Sequence, residues 1–438
     1  MPSRTVSRNA IAAALRSGSN NGNDSVMGNV QPAIDPPPTG PDFGELFPLM
    51  SSWARCPKLA AGAPMANKLL ICRMHATTSK VLAFDMFKNF GLEPSNAFFF
   101  YKNYPYAHFD DVIDAMKARG ATVLPDNQMT PEMFEALADL ADARDLEVNT
   151  IEDGAHALEL VLSNPRLAAR FTGGTEQTSR GTWIGERLML EGKLPKPLIA
   201  LSTSTIKSDF EGPRVAAAGL QAVQNLFPHQ CVSDWHVGIL GGGVIGKYTL
   251  AAFDSIGCKV RVFDDDPTAR IKLSHFGADK VRRSALDAVR GANLIIGTAG
   301  RPTIDADVLS VTPKTVIVSS KSSEQIEINL TYIKRHAKRE RPMLLHPDGF
   351  RNNAVIGTTY ELHGNKLVHV LFDGMPLNFS RFGLLCEKTV DVVVGWLALC
   401  ALEIARGAYR TQTGILTKAA DEVFKMHQIA EDYERVWA

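Results

Sequence analysis

Apolar residues fall in short blocks separated by amphipathic stretches, the pattern of buried strands alternating with helices. Lys68–Cys72 predicts a short buried strand, and Ser79–Phe90 a helix with Val81, Leu82, Phe84 and Phe87 on its apolar face. Ala97–Tyr101 predicts a second strand, Asp110–Arg119 a helix, Thr122–Leu124 a third strand, and Pro131–Ala143 another helix. Leu198–Leu201 ends this first series. A long apolar-periodic helix is expected from Pro213 to Phe227. A second series follows, with strands at His236–Leu240, Lys259–Phe263, Leu294–Gly297 and Thr315–Val318 and helices between them. Glu387–Glu403 reads as a buried helix. Such alternation predicts an α/β fold on parallel sheets. Ser17–Asp42 breaks the pattern, being rich in Ser, Asn, Gly and Pro. It cannot bury enough surface to fold and is expected to be a flexible arm, with folded chain beginning near Phe43.

Composition narrows the function classes. Of 438 residues, 45% are hydrophobic and 21% charged, ordinary for a globular protein of about two domains. Lys+Arg and Asp+Glu are equal at 47 each, which gives no basis for a nucleic-acid or polybasic membrane contact. Cys56, Cys72, Cys231, Cys258, Cys386 and Cys400 form no CxxC pair and are expected to be reduced thiols of a cytoplasmic protein. No apolar run reaches the roughly 20 residues of a membrane span. Residues 1–42 lack the apolar core of a signal peptide; a transit peptide fits their composition, as does the flexible arm.

The sharpest chemical signal follows Trp235. The strand His236–Leu240 runs into Gly241-Gly242-Gly243-Val244-Ile245-Gly246 and then into a helix, Lys247–Ser255. This is G-x-G-x-x-G in its required context. Gly241 permits the tight turn, Gly243 lets backbone approach a pyrophosphate, and Gly246 allows close helix–strand packing; the helix N-terminus, with Val244 and Ile245, faces the phosphates. The next strand ends in Asp264, 18 positions after Gly246, where a carboxylate suits the ribose hydroxyls of NAD and repels the 2′-phosphate of NADP. Gly297-Thr298-Ala299-Gly300 places small residues at a third strand's carboxyl end, where a dinucleotide can lie across it. A glycine-rich turn that binds nothing is the alternative, and the combination with two strands, a helix and an acid speaks against it.

The folded chain resembles S-adenosylhomocysteine hydrolases, in order, from Leu46 to about His427. Phe47-Pro-Leu-Met50 is similar to the family's PGLM segment, Met74-His75-Ala-Thr77 to LHMT, and Ile151-Glu-Asp153-Gly154 to LDDGGD. Thr175-Glu-Gln177-Thr178-Ser-Arg-Gly181 is similar to SEETTTG, and Ser204-Thr-Ile-Lys207-Ser-Asp-Phe-Glu211 to SVTKSKFDN. Asp373-Gly-Met-Pro-Leu-Asn378-Phe resembles EGRLVNL, and Leu416–His427 resembles LPKKLDEEVARLH.

The resemblance implies a bilobal fold. It would comprise an arm at 1–42, a substrate domain over 43–212 that returns over 379–412, an inserted NAD domain over 213–378, and an oligomerisation tail over 413–438. It implies bound NAD, a homodimer or homotetramer, and a small nucleoside-like substrate. NAD⁺ transiently oxidises the ribose 3′-hydroxyl, a base removes the acidified 4′ proton, the 5′ substituent leaves, water adds, and the alcohol is restored. On this resemblance Lys207, Glu211, Asp153 and His75 are the expected catalytic residues. Thr77, Gln177 and Thr178 are expected at the substrate, and Asn378 at the cofactor. From the residues alone, Lys207 reads first as a surface lysine and His75 as a structural histidine, and Asp153 fits the N-cap of a helix over Ala155–Leu162.

Departures cluster at the substrate pocket and cofactor lid. Gln177 replaces a ribose-binding glutamate, and Glu211 an aspartate. Ser322 or Ser323 stands at the histidine of GHFD, and Leu384–Val390 replaces GHPSFVM. Tyr104-Pro-Tyr-Ala-His108 replaces STQD, and the terminal KPDHYRY has no counterpart before Ala438. The expectation is therefore a divergent enzyme acting on a nucleoside or thioether nucleoside. Two alternatives stay open: elimination without homocysteine, and an inactive NAD-binding interaction protein. A simple dehydrogenase releasing NADH suits the lysine–carboxylate set less well.

Overall fold

Contacts divide the chain into two units: residues 207–389 form one, and the chain on either side forms the other. The computed structural model describes residues 43–437 apart from 105, 107, 323, 346–352 and 381. The expected arm at 1–42, Ser323 and Ala438 lie outside the described residues.

The first unit is built on strands β1 (Lys68–Met74), β2 (Ala97–Tyr101), β3 (Thr122–Pro125), β4 (Glu147–Glu152), β5 (Phe171–Glu176) and β6 (Pro197–Ala200). A closing strand, Gly414–Leu416, arrives from the far end of the chain and pairs in parallel with β6. The sheet order is closing strand–β6–β5–β4–β1–β2–β3, parallel throughout. Leu69, Ile71, Phe98, Phe100, Phe134, Leu137 and Val148 share one core cluster. The expected strands and helices of this half are present to within a few residues. The central β4, its neighbour β5 and the closing strand are additions to the sequence reading.

The helix Glu387–Arg406, expected to end at Glu403, packs into this unit. Asp391 on it accepts hydrogen bonds from the N–H groups of Leu49 and Met50, each 2.9 Å, and from the Trp437 indole at 3.0 Å. Trp53 donates to Asp432 at 2.8 Å. The last helix, Ile429–Trp437, is thus tied to its own unit by two indole–carboxylate bonds.

The second unit carries β7 (His236–Leu240), β8 (Lys259–Phe263), β9 (Leu294–Gly297), β10 (Thr315–Ser320), β11 (Arg339–Leu344), β12 (Val355–Leu362) and β13 (Lys366–Leu371). The order is β11–β12–β13–β10–β9–β7–β8. Strands β7 to β10 and β13 run parallel, whereas β12 is antiparallel to β13 and to β11. The sequence reading contains the four parallel strands β7–β10 but not β11–β13. The long helix begins at Thr205, two turns before the expected start at Pro213, and runs to Leu226 with Pro213 in its interior.

A lysine lies inside this second unit. Lys321, just after β10, is 3% exposed. Its ammonium donates to Ala216 O and Thr249 Oγ1, each 3.2 Å, and sits 5.7 Å from the Phe253 ring centroid. Gly219 makes the room, since a Cβ there would lie 2.0 Å from Lys321 Cε. Among the described residues no carboxylate forms an ion pair with it, and burial lowers its pKa to about 7. No helix of the described residues is long and apolar enough to cross a membrane, and no group of them is arranged to hold a metal ion.

Candidate functional site

In parallel sheets the side chains that follow neighbouring strands meet at the carboxyl edge. In the first unit His75 and Thr77 follow β1, Lys102 follows β2, Asp153 follows β4, and Gln177 and Thr178 follow β5. The register sets Arg73 beside Glu152, so His75 and Asp153 leave adjacent strands side by side. His75 Nε2 lies 3.1 Å from Asp153 Oδ2. The other Asp153 oxygen accepts from the Lys102 ammonium at 2.9 Å, and the Asp153 carbonyl accepts from Arg73 at 2.8 Å. His75 Nδ1 is 2.5 Å from the Tyr106 hydroxyl. All of these groups are buried, Tyr106 the least at 8% exposed.

Burial alone would raise the Asp153 carboxyl; the Lys102 ammonium and His75 outweigh it and hold the group well below the usual range. Burial lowers His75 to about 4, with the Asp153 charge opposing and the Lys102 charge assisting. At neutral pH this is an ionised aspartate beside a neutral imidazole.

The turn after Asp153 is clamped from the next strand. Gly154 has φ +110° and Ala155 φ +59°, the left-handed region. The Glu176 carboxylate accepts from Gly154 N at 3.2 Å, from Thr178 N at 2.5 Å and from Thr178 Oγ1 at 2.8 Å. Burial raises Glu176 to about 8, the Asp153 charge adding to the effect. Glu152, also fully buried, is raised by burial and then by Glu176. The residue-level alternative of a helix cap at Asp153 fails: the helix is His156–Ser163 and its N-cap is Ala155. Thr178, expected at the substrate, spends its hydroxyl capping the helix Ser179–Leu190 through Gly181 N at 3.1 Å and bonding Glu176. Gln177 and Thr77 are half-buried, Thr77 Oγ1 lying 3.1 Å from Ser79 Oγ. Lys102, Tyr106 and Glu176 were not picked out by sequence reasoning. Their one signal is position: Lys102 directly follows β2, Tyr106 lies in the loop beyond it, and Glu176 is the last residue of β5.

In the second unit the glycine turn is tight. Gly241 has φ +113°, and a Cβ there would meet Ala299 N at 2.6 Å. A Cβ on Gly246 would lie 1.9 Å from Gly241 O, so only glycine lets the helix Val244–Ser255 start so close to β7. Gly243 faces open space. Its helix has no side-chain cap, which leaves first-turn N–H groups for an anion. Asp264 directly follows β8, where its carboxylate accepts from Gly242 N at 2.5 Å and Asp266 N at 2.8 Å.

Thr298 Oγ1 donates to Gly241 O at 2.8 Å, joining the second turn to the first. Beneath that turn Glu327 accepts from Gly300 N at 2.6 Å and Thr303 Oγ1 at 2.7 Å, and burial raises it to about 7. Glu327, an acid in the apolar run Ile326-Glu327-Ile328, was also missed. Asn378 sits just after Pro376, which bridges to Ser320 at the carboxyl end of β10. It is 6% exposed, and among the described residues no donor bonds its Oδ1. The glycine turn, Thr298–Gly300 and Asn378 therefore share one sheet edge.

Lys207 is not in a loop before a helix, as the expected start at Pro213 implied. It lies in the first turn of Thr205–Leu226, where Glu211 is one turn on. Its ammonium lies 2.5 Å from Glu211 Oε2, the side chains being 11% and 16% exposed. This pair, like His75–Asp153, sets a proton-carrying group against a carboxylate.

No protein-family model matches the chain. It is similar to an adenosylhomocysteinase of Aeropyrum pernix, with 22% identity over 82% of this chain and 83% of that one. It is also similar to an S-inosyl-L-homocysteine hydrolase of Methanosarcina mazei, with 24% identity over 63% of this chain and 64% of the relative. Among solved structures it matches the pyruvate reductase of Chlamydomonas reinhardtii (14% identity, 79% of this chain, 98% of that chain, TM-score 0.40). It also matches the dipicolinate synthase A chain of Bacillus subtilis (11% identity, 78% and 98%, TM-score 0.39). Over most of its length the chain is therefore similar, at 22–24% identity, to curated enzymes named adenosylhomocysteinase and S-inosyl-L-homocysteine hydrolase.

Proposed function

We propose that the protein is an NAD-dependent enzyme of the adenosylhomocysteinase type, acting on a nucleoside or thioether nucleoside. The observation that carries this reading is that, within the second unit, the Lys207–Glu211 ion pair accompanies a glycine turn fit for a dinucleotide; the first unit separately holds the buried His75–Asp153 pair. Open space at Gly243, the Asp264 carboxylate just after β8, and the Asn378 Oδ1, to which no described residue donates, all suit such a cofactor; a carboxamide N–H would satisfy the last. NAD supplies reversible oxidation of a sugar hydroxyl. The chain's own groups do the rest: Lys207, held by Glu211, takes the proton of that hydroxyl, and the His75–Asp153 set handles the proton at the leaving group. Ser322, one of the two serines aligned with a family histidine, bonds to Glu324 O at 3.1 Å and offers no imidazole, which favours an altered leaving-group chemistry as the second reading.

Mass spectrometry of the denatured, purified protein is expected to release NAD, with any nucleoside it carries. Turnover of S-adenosylhomocysteine and S-inosylhomocysteine then tests the substrate class. Absence of any dinucleotide, together with no NAD binding by calorimetry, would overturn the proposal. Wild-type protein is expected to prefer NAD over NADP, and Asp264→Ala to narrow that preference, because the carboxylate that repels a 2′-phosphate is gone. Equal or tighter NADP binding by the unaltered chain would sink this assignment.

A further inference from the structure

We propose that His75 acts through Tyr106, so that Tyr106–His75–Asp153 is a proton relay whose outer, substrate-facing group is the tyrosine hydroxyl. The inference rests on the enzymatic reading above for its purpose, but its geometry stands apart from it.

Both ring nitrogens of His75 are engaged. Nε2 lies 3.1 Å from an Asp153 oxygen, and Nδ1 lies 2.5 Å from Tyr106 Oη. A bare Nε2 would set a lone pair against a buried carboxylate, so the proton of the neutral ring belongs on Nε2. Nδ1 is then an acceptor, and Tyr106 is its donor. Tyr104 and Tyr106 wall the imidazole, with ring centroids 5.6 and 5.7 Å from it, and Phe109 stacks on Tyr106 at 6.2 Å. A substrate cannot reach either nitrogen without displacing a partner, whereas Tyr106 is the most exposed of the three.

The step balances within the chain. A substrate O–H or S–H gives its proton to Tyr106 Oη, the Tyr106 O–H bond breaks toward His75, and an N–H bond forms at Nδ1. The imidazolium is held by Asp153, and the reverse sequence returns the proton. Burial keeps the Tyr106 hydroxyl protonated at rest, so the relay starts loaded at the tyrosine and empty at Nδ1. Lys102, 2.9 Å from Asp153, is a positioning residue: it fixes the carboxylate and limits the basicity it lends to His75. Arg73 and Lys80 add positive charge nearby, and Asp126 pairs with Arg73 at 3.1 Å.

The test is nitrogen NMR of the full-length protein with ring-labelled histidines, His75 being assigned by its loss in His75→Gln. At about pH 7 the wild type is expected to show Nε2 protonated and Nδ1 bare. Tyr106→Phe, which removes one oxygen and keeps the ring, is expected to move the Nδ1 resonance. Lys102→Met is expected to raise the His75 titration midpoint above about 4; if that variant does not fold, Tyr106→Phe still decides. A proton on Nδ1, an imidazolium at neutral pH, or an unmoved Nδ1 in Tyr106→Phe overturns the relay. With S-adenosylhomocysteine and S-inosylhomocysteine as probes, Tyr106→Phe is expected to lose about 100-fold or more in kcat with KM little changed. Wild-type turnover retained in Tyr106→Phe also overturns it. If the unaltered protein turns over neither probe, the enzymatic reading fails for those substrates while the NMR result still decides the relay.

Discussion

Lys207→Gln is expected to slow reduction of the bound cofactor by a nucleoside substrate by about 10²–10⁴-fold, the usual contribution of a general acid–base group. Lys207 sits on a helix with its ammonium 2.5 Å from Glu211, so both are ordered before any substrate arrives. A lysine with its carboxylate partner one turn away can take up a hydroxyl proton while the helix holds its direction. Glutamine keeps a donor for Glu211, so the partly buried carboxylate is not stranded and the fold survives. Mixing S-adenosylhomocysteine or S-inosylhomocysteine with NAD-loaded protein and following the reduced-nicotinamide absorbance reads the rate directly. Reduction at the wild-type rate would remove Lys207 from the mechanism. A variant with unchanged circular dichroism and NAD content, but no reduction, is the expected outcome.

Lys321→Met is expected to stabilise the second unit by several kcal/mol near neutral pH. A lysine pKa lowered from 10.5 to about 7 by burial corresponds to roughly 5 kcal/mol, taken as an order of magnitude. Methionine has a similar length and fills the space left by Gly219 without an ammonium to desolvate. The pH dependence has a definite sign. Between about pH 7 and 10.5 the folded lysine binds fewer protons than the unfolded one, so stability rises with pH across that window. Below it the deficit is fully present. The gap between variant and wild type is therefore at its full value at and below about pH 7 and narrows toward pH 10. Urea unfolding of the full chain, followed by fluorotryptophan NMR at Trp235, the single tryptophan of 207–389, isolates this unit from the other. A less stable Lys321→Met at neutral pH, or a gap constant with pH, would show that the ammonium is better compensated than its contacts indicate.

What the hydrophobic pattern reveals and what it hides divide along functional lines. Strands β1, β2, β6, β7 and β9 are apolar blocks and stand out at once. Strand β4 reads Glu-Val-Asn-Thr-Ile-Glu and β5 reads Phe-Thr-Gly-Gly-Thr-Glu, which no apolar or alternating template selects. Both lie inside the sheet, and both end in the carboxylates that shape the candidate site, Glu152 and Glu176. Asn149 bonds Thr172 Oγ1 at 2.9 Å and Gly173 O at 3.0 Å, so polar groups do here what methyl groups do elsewhere. The glycine turn was readable because steric exclusion writes itself into residue identity: nothing larger fits at Gly246. His75 and Asp153 were expected through the resemblance, but their meeting with Lys102 and Tyr106 was not legible, because it joins residues that follow three strands and no local spacing encodes it. Pro213 misled for a related reason. It resembles a helix start, yet the helix passes through it and carries Lys207 on its first turn.

The first unit cannot be completed in the order in which it is written. Its sheet has β6 as an open edge until Gly414–Leu416 arrives, and Leu49 and Met50 wait for Asp391 to satisfy their N–H groups. All of 207–389 is made between these halves. At roughly 5–20 residues per second, a ribosome needs on the order of ten seconds or more to cross that stretch. A nascent chain therefore carries a bare, apolar sheet edge past a second unit that can already close on itself. Chaperone capture and edge-to-edge association are strongest in that interval, and a circular permutant joining the two flanking segments in sequence would abolish it.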